Sequence, residues 1–226
     1  MSYMWENFNI KQIRAETIVY RDGVFCPELS TIESGKIEKH YDLPVHIIYV
    51  GEIAGKNQLN IDLNTENQTV LVSVIVKNNL PAFLNIFAKN TGKNSKILGH
   101  ILLENNNSLT YECNAGHFSK NTDILFQHKL IAGRGSISKM SAVATIAQNC
   151  ENCNSDIAFS AIAASDAKIE FTPAQRISSV PNSAGHSASL YTPKPIQIQY
   201  LRESGLGTHE IDDVIHEAFM NDFSLF

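Results

Sequence analysis

The stretch Gln148–Asp156, QNCENCNSD, sets Cys150 and Cys153 in a C-x-x-C spacing inside a run of small polar residues. Thiolates so spaced can bind a transition metal, ligate an iron–sulfur cluster or cycle through a disulfide. A four-cysteine zinc module needs a second close pair, whereas Cys26 and Cys113 stand alone and far apart. A thioredoxin-like dithiol needs a β-α-β frame, and none surrounds this stretch. Two thiols leave a four-ligand site incomplete, so a partner chain, a histidine or a small-molecule thiol must supply the rest. The plain alternative is that both cysteines fill a tight turn, since Cys packs as a small apolar residue.

Other residues with chemical potential are scattered. Gly133–Ser136, GRGS, lacks the Gly-Lys-Ser/Thr ending and the following helix of a phosphate loop, and reads as a corner turn. His209 and His216 share a helix face but flank acidic residues, as on a solvated surface. His100, His117 and His128 fall in separate strand-like segments. Neither a Ser-His-Asp arrangement, a paired-carboxylate motif nor H-E-x-x-H is present, so the chain reads as a non-enzyme.

The elements that must position these residues are short strands. From about Val45 to Ser189 the segments HIIYV, LNIDL, TVLVSVIV, AFLNIFA, KILGHILL, LTYEC, DILFQHKLIA, ISKMSAVATIA, DIAFSAIA and KIEF follow one another, separated by polar tracts. Alternation in Leu59, Ile61, Leu63 and in Val70, Val72, Val74, Val76 predicts one buried face. The turns are rich in Asn, of which the chain has 21, and Asn tolerates the left-handed backbone of a sharp corner. A sandwich, a barrel and a β-helix all suit this pattern. The β-helix alone favours Asn corners stacked coil upon coil, but no strict short repeat is visible.

After Leu190 the pattern changes. PIQIQYLRE predicts a short helix stopped by Gly205 and Gly207. Thr208 is a candidate N-cap for a second helix of about 14 residues, with Ile211, Val214, Ile215, Ala218 and Phe219 on one face. A helix this short is marginal alone and must dock on something.

Composition bounds the class. The 226 residues are 43% hydrophobic, enough for one main domain with a small appendage. A net charge of -5 and a pI near 5.9 argue against a nucleic-acid groove or an anionic membrane surface. The longest apolar run, Thr69–Val76, is far too short to span a bilayer, and MSYMWENFNIKQ lacks the form of a secretory signal. The expected location is therefore the cytoplasm, with reduced thiols.

Three stretches carry a family resemblance. Ile18–Ser30, IVYRDGVFCPELS, looks like the entry segment of SufD-type proteins. His128–Gln148, HKLIAGRGSISKMSAVATIAQ, is similar to late β-helical coils of SufB and SufD. Lys168–Phe219 repeats the family order of a strand, a His among small residues (Ala184, Gly185, His186, Ser187, Ala188, Ser189), a short helix, a Gly turn and an amphipathic helix ending in Ala218–Phe219. Together these resemble the SufB/SufD family of the SUF iron–sulfur cluster assembly system, and most closely a short SufD-like protein.

The resemblance implies a mainly β protein, a right-handed parallel β-helix with a small C-terminal helical subdomain. It divides the chain into an entry segment 1–40, a β-helix core 41–190 and a helical subdomain 191–226. It implies pairing with itself or a SufB-like subunit through the β-helix, and docking of a SufC-like ATPase through Ile211, Val214, Ile215, Ala218 and Phe219. His186 matches the interface His of the family, and the family cysteine register falls on Asn154, next to Cys153. Cys150, Cys153 and His186 are the expected ligands of iron or of a transient iron–sulfur cluster. The chain departs from the family in its shortness, in lacking the N-terminal helical region, and in carrying Ala184 where a Cys often precedes the His. The rival expectations are a structural β-solenoid that touches no metal and a carbohydrate-active or acyl-transferring β-helix enzyme.

Overall fold

The computed structural model describes residues 14–221. Thirteen strands, β1 (Glu16–Arg21), β2 (Val24–Phe25), β3 (Val45–Glu52), β4 (Gly55–Leu63), β5 (Thr69–Asn78), β6 (Ala82–Asn90), β7 (Lys96–Asn105), β8 (Ser108–His117), β9 (Asp123–Ala132), β10 (Ile137–Ile146), β11 (Asn154–Ala163), β12 (Lys168–Ile177) and β13 (Ser183–Tyr191), precede two helices, α1 (Pro195–Glu203) and α2 (Thr208–Asn221). The odd strands from β1 to β13, with β2, form sheet A and the even strands from β4 to β12 form sheet B. Each strand pairs in parallel with its counterpart one coil away, apart from the antiparallel β1–β2 hairpin. The chain is thus a parallel β-solenoid of about seven turns with two short C-terminal helices.

Two sheets facing each other bury the alternating residues that the sequence predicts. Leu59, Ile61, Leu63, Val70, Val72, Val74 and Val76 are all at most 2% exposed. The single-face expectation fails for β5, whose Leu71, Ser73 and Ile75 are buried as well. A strand covered on both faces loses its polar alternation, which is why Thr69–Val76 reads as a near-continuous apolar run.

One corner stacks four of the Asn residues. Asn67, Asn94, Asn121 and Asn152 all adopt positive φ between 54° and 56°. Their side chains form a ladder: Asn94 donates to Asn67 at 3.3 Å, Asn121 to Asn94 at 2.9 Å and Asn152 to Asn121 at 3.2 Å. Each left-handed Asn turns the chain from sheet B into sheet A, and the shared amide bonds align successive coils.

Two boundaries shift. The solenoid begins inside the predicted entry segment, because β1 already pairs with β3 over six residues. In α2, Ile211 N–H donates to Gly207 O while Gly207 N–H donates to Glu210 Oε2 at 2.7 Å, so Gly207 takes the cap position expected of Thr208 and the helix starts at Thr208 itself.

Candidate functional site

Cys150 and Cys153 lie in the connection from β10 to β11, one of two corners where the coil lengthens, the other being Gly133–Ser136. Cys153 is 0% exposed and Cys150 is 4% exposed, both packed with Ile146. Strand register makes Cys153 the counterpart of Gln68, Ser95 and Thr122, the residues that follow the left-handed Asn in earlier coils. All four are buried, in a polar column inside the corner. Cys153 Sγ lies 3.2 Å from Thr122 Oγ1 and donates to Ser119 O at 3.3 Å, and Thr122 Oγ1 meets His117 Nδ1 at 2.8 Å. A thiol here does what the hydroxyls of Thr122 and Ser95 do one and two coils earlier: it satisfies corner carbonyls.

Burial, then the neighbouring Cys153, push the Cys150 thiol up, against the opposing pull of the Lys120 ammonium. A raised pKa disfavours the thiolate that ligation requires, so a metal would have to displace the proton.

His186 sits on the outermost strand of sheet A, in register with Ile157. Cys153 is opposite Asn182, which puts His186 one coil away and four residues further along the strand, roughly 13 Å. His186 is exposed and Cys153 is enclosed. The three expected ligands are therefore not brought together within one chain. Among the described residues, no group of three or more His, Cys, Asp or Glu side chains converges as a metal-binding set.

The other histidines are also apart. His128 lies inside the solenoid, its ring 4.5 Å from Phe159 and 5.4 Å from Tyr111, with Nδ1 3.1 Å from Ala158 O. His46 meets Ser73 Oγ at 2.9 Å on sheet A. Burial lowers the pKa of His46, His117 and His128 to about 4. His216, expected on a solvated face, is half-buried, and that burial lowers its pKa.

The five residues of α2 divide into two sets. Ile215 and Phe219 pack against Ile75, Leu102, Ile131 and Ile162, a stripe running across sheet A, and Ile211 is buried. Lys129 Nζ donates to the Phe219 carbonyl near the helix C-terminus and lies 4.8 Å from the Phe219 ring centre. The face that amphipathicity marks for docking is thus largely docked on the solenoid itself. Lys129→Met should lower the protection of α2 amides against hydrogen exchange by about 1 kcal/mol while leaving the coil amides unchanged. Equal protection in the variant would show that Lys129 does not hold the helix.

Val214 and Ala218 take no part in that cluster and, with Ile196, Tyr200 and Leu201, line an open apolar groove of about 660 Å³ between α1 and α2, which Ile215 and Phe219 also border. Gln197 braces it, its Oε1 accepting from Tyr191 O–H and from Lys194 N–H, both at 2.9 Å. Ile196 and Tyr200 are 68% and 69% exposed, far more than folding requires of an apolar pair. These α1 residues were absent from the sequence-based site. Their i, i+4 spacing was the available signal. No helix among the described residues is long and apolar enough to cross a membrane. No protein-family model matches the chain, and no curated protein matches it.

Proposed function

We propose that this chain is a non-catalytic scaffold subunit of a SUF-type iron–sulfur cluster assembly complex. The observation that carries this reading is the apolar groove between α1 and α2, appended to a β-solenoid in the order the SufB/SufD resemblance implies. Helix α2 is anchored to the coils by Ile215, Phe219 and Lys129, so a protein seated in the groove is mechanically joined to the solenoid. The seated partner is a SufC-like ATPase, which supplies the nucleotide chemistry. The iron–sulfur cluster is cargo, and its ligands come from paired subunits, with Cys150, Cys153 and His186 as this chain's contribution. Pairing uses the solenoid, with a second copy or a SufB-like subunit as partner.

The test separates the two faces of α2. Val214→Asp with Ala218→Asp charges the groove and leaves Ile215 and Phe219 in place. Capture of a SufC-like ATPase should fall at least tenfold in this variant, with the circular dichroism of the wild type retained. Undiminished capture would remove the groove from the interface.

A second reading, a structural solenoid that handles no metal, is favoured by one observation. Cys153 continues the corner column of Gln68, Ser95 and Thr122, which needs no ligand role to explain it.

A further inference from the structure

The groove between α1 and α2 has apolar walls and an acidic rim. Ile196, Tyr200 and Leu201 of α1 face Val214 and Ala218 of α2 across it. Beside Val214 the surface of α2 changes character. Glu210 lies four residues before Val214 and Glu217 three after it, the spacings that make neighbours on a helix, and Asp213 joins the two at i+3 and i−4. All three are exposed. They form one ridge along the α2 edge of the groove, turned away from the buried Ile211 and from Ile215 and Phe219, which hold the sheet A stripe.

No cation of the helix answers this ridge. Thr208–Asn221 contains no Lys or Arg, and the ion pairs among the described residues, Lys77–Glu104, Lys96–Asp123 and Lys120–Glu151, all belong to the solenoid. Tyr191–Asn221 sets two cations against five carboxylates, a net charge of -3 out of the chain's -5. The rim is a local concentration of negative charge beside an apolar slot.

The walls fix what shape can enter. Both are helix flanks whose backbone amides are bonded within their own helices, so no strand can add to them, whereas a third helix can seat its ridges between theirs. Ile196 and Tyr200, four residues apart and 68% and 69% exposed, supply the ridge of α1. Val214 and Ala218, also four apart, supply that of α2.

We infer that the groove takes an amphipathic helix of the partner with apolar side chains at i, i+3, i+4 and i+7 and with Lys or Arg on the flank that meets α2. The apolar anchors fill the slot, and the cations face Glu210, Asp213 and Glu217. Rim charges of this kind select the partner and speed association more than they add affinity, and salt screens them. The same rim repels an acidic amphipathic helix such as α2 of a second copy, so copies of this chain do not fill one another's grooves. This inference rests on the groove being a docking site, as in the proposed function, and adds the chemistry of what enters it.

Two synthetic helical peptides test it on the full chain. Both carry Leu at i, i+3, i+4 and i+7, one with Lys and the other with Glu at the flanking positions. Fluorescence anisotropy should show the Lys peptide binding about tenfold tighter at about 20 mM salt, with the ratio falling below about threefold at about 0.5 M. Asp213→Lys with Glu217→Lys, which leaves the Glu210 bond to Gly207 in place, should abolish the preference. Asp62→Lys with Glu170→Lys makes the same change in net charge at exposed positions of sheet B and should preserve it. Ile196→Ala with Tyr200→Ala should weaken the Lys peptide about tenfold while the circular dichroism of the wild type is retained.

Equal binding of the two peptides overturns the inference. So does a preference that the α2 pair of substitutions leaves standing or that the sheet B pair removes, and so does a Lys-peptide affinity indifferent to Ile196→Ala with Tyr200→Ala. A SufC-like ATPase captured equally well by the wild type and by the Asp213→Lys, Glu217→Lys variant overturns the basic flank and leaves the scaffold reading intact. A groove-dependent Lys-peptide preference without capture of such an ATPase upholds the inference and counts against the scaffold.

Discussion

Phe159→Ala is expected to cost about 3–5 kcal/mol of stability, the largest loss foreseen for a single side chain. Phe159 is 2% exposed and joins two coils inside the solenoid, its ring stacked 5.2 Å from Phe171 at 15° and 4.5 Å from His128. Truncation removes a ring from the middle of this aromatic stack and leaves a cavity. The opposite sheet contributes Tyr111, whose ring is held edge-on against His128. Because each coil touches chiefly its neighbours, the loss should be local. Amide exchange in β9–β13 should accelerate while β3–β6 keep their protection. An unfolding free energy from urea titration lowered by less than about 1 kcal/mol, or uniform loss of protection along the chain, would contradict this picture.

Acid should destabilise the fold just as strongly. Burial holds His46, His117 and His128 at about 4, well below the ordinary imidazole value of 6.5, with Asp123 partly opposing the shift at His117 and the Ala158 carbonyl at His128. The folded state therefore refuses protons that the unfolded chain accepts. The stability tied to these groups is fully present above the unfolded pKa near 6.5 and is lost as the pH falls through the folded value of about 4. Three such groups give a slope of up to roughly 4 kcal/mol per pH unit in that window. Urea midpoints measured between pH 7 and pH 4.5 should fall steeply, and His128→Phe should reduce the slope by about a third. A midpoint independent of pH across this window would rule out neutral buried imidazoles.

The strands were legible in the sequence because apolar alternation records which side chains face the inside of the coil. The coil itself was not. Its period is 27 residues between Asn67, Asn94 and Asn121, then 31 to Asn152. Few positions recur from coil to coil: the left-handed Asn does so in four successive coils, at Asn67, Asn94, Asn121 and Asn152, while the inward row accepts any apolar side chain of suitable volume. The lengthening is shared by two corners, Gly133–Ser136 and the C-x-x-C segment, each longer than its counterpart one coil earlier, so the chemically conspicuous residues stand where the repeat is irregular.

Helix α2 shows a different limit. Its amphipathicity announced that it docks but not on what, because the answer is a stripe of residues from four separate strands of sheet A. Val214 and Ala218, at the margin of the same apolar face, line the groove, which Ile215 and Phe219 border as well as packing on the stripe. The end-coil exposure of His186 was equally hidden, since nothing local to Gly185–Ser189 tells that no further coil stacks upon it.

The most direct measurement is anaerobic reconstitution of the purified chain, alone and mixed with a SufC-like ATPase and a SufB-like subunit, using iron and sulfide. The scaffold reading predicts a visible iron–sulfur charge-transfer band on the assembled complex. It further predicts loss of that band in a Cys153→Ser, His186→Ala double variant that retains the wild-type circular dichroism and mass. Absence of a cluster on the wild-type chain in every pairing would contradict it and leave a structural solenoid.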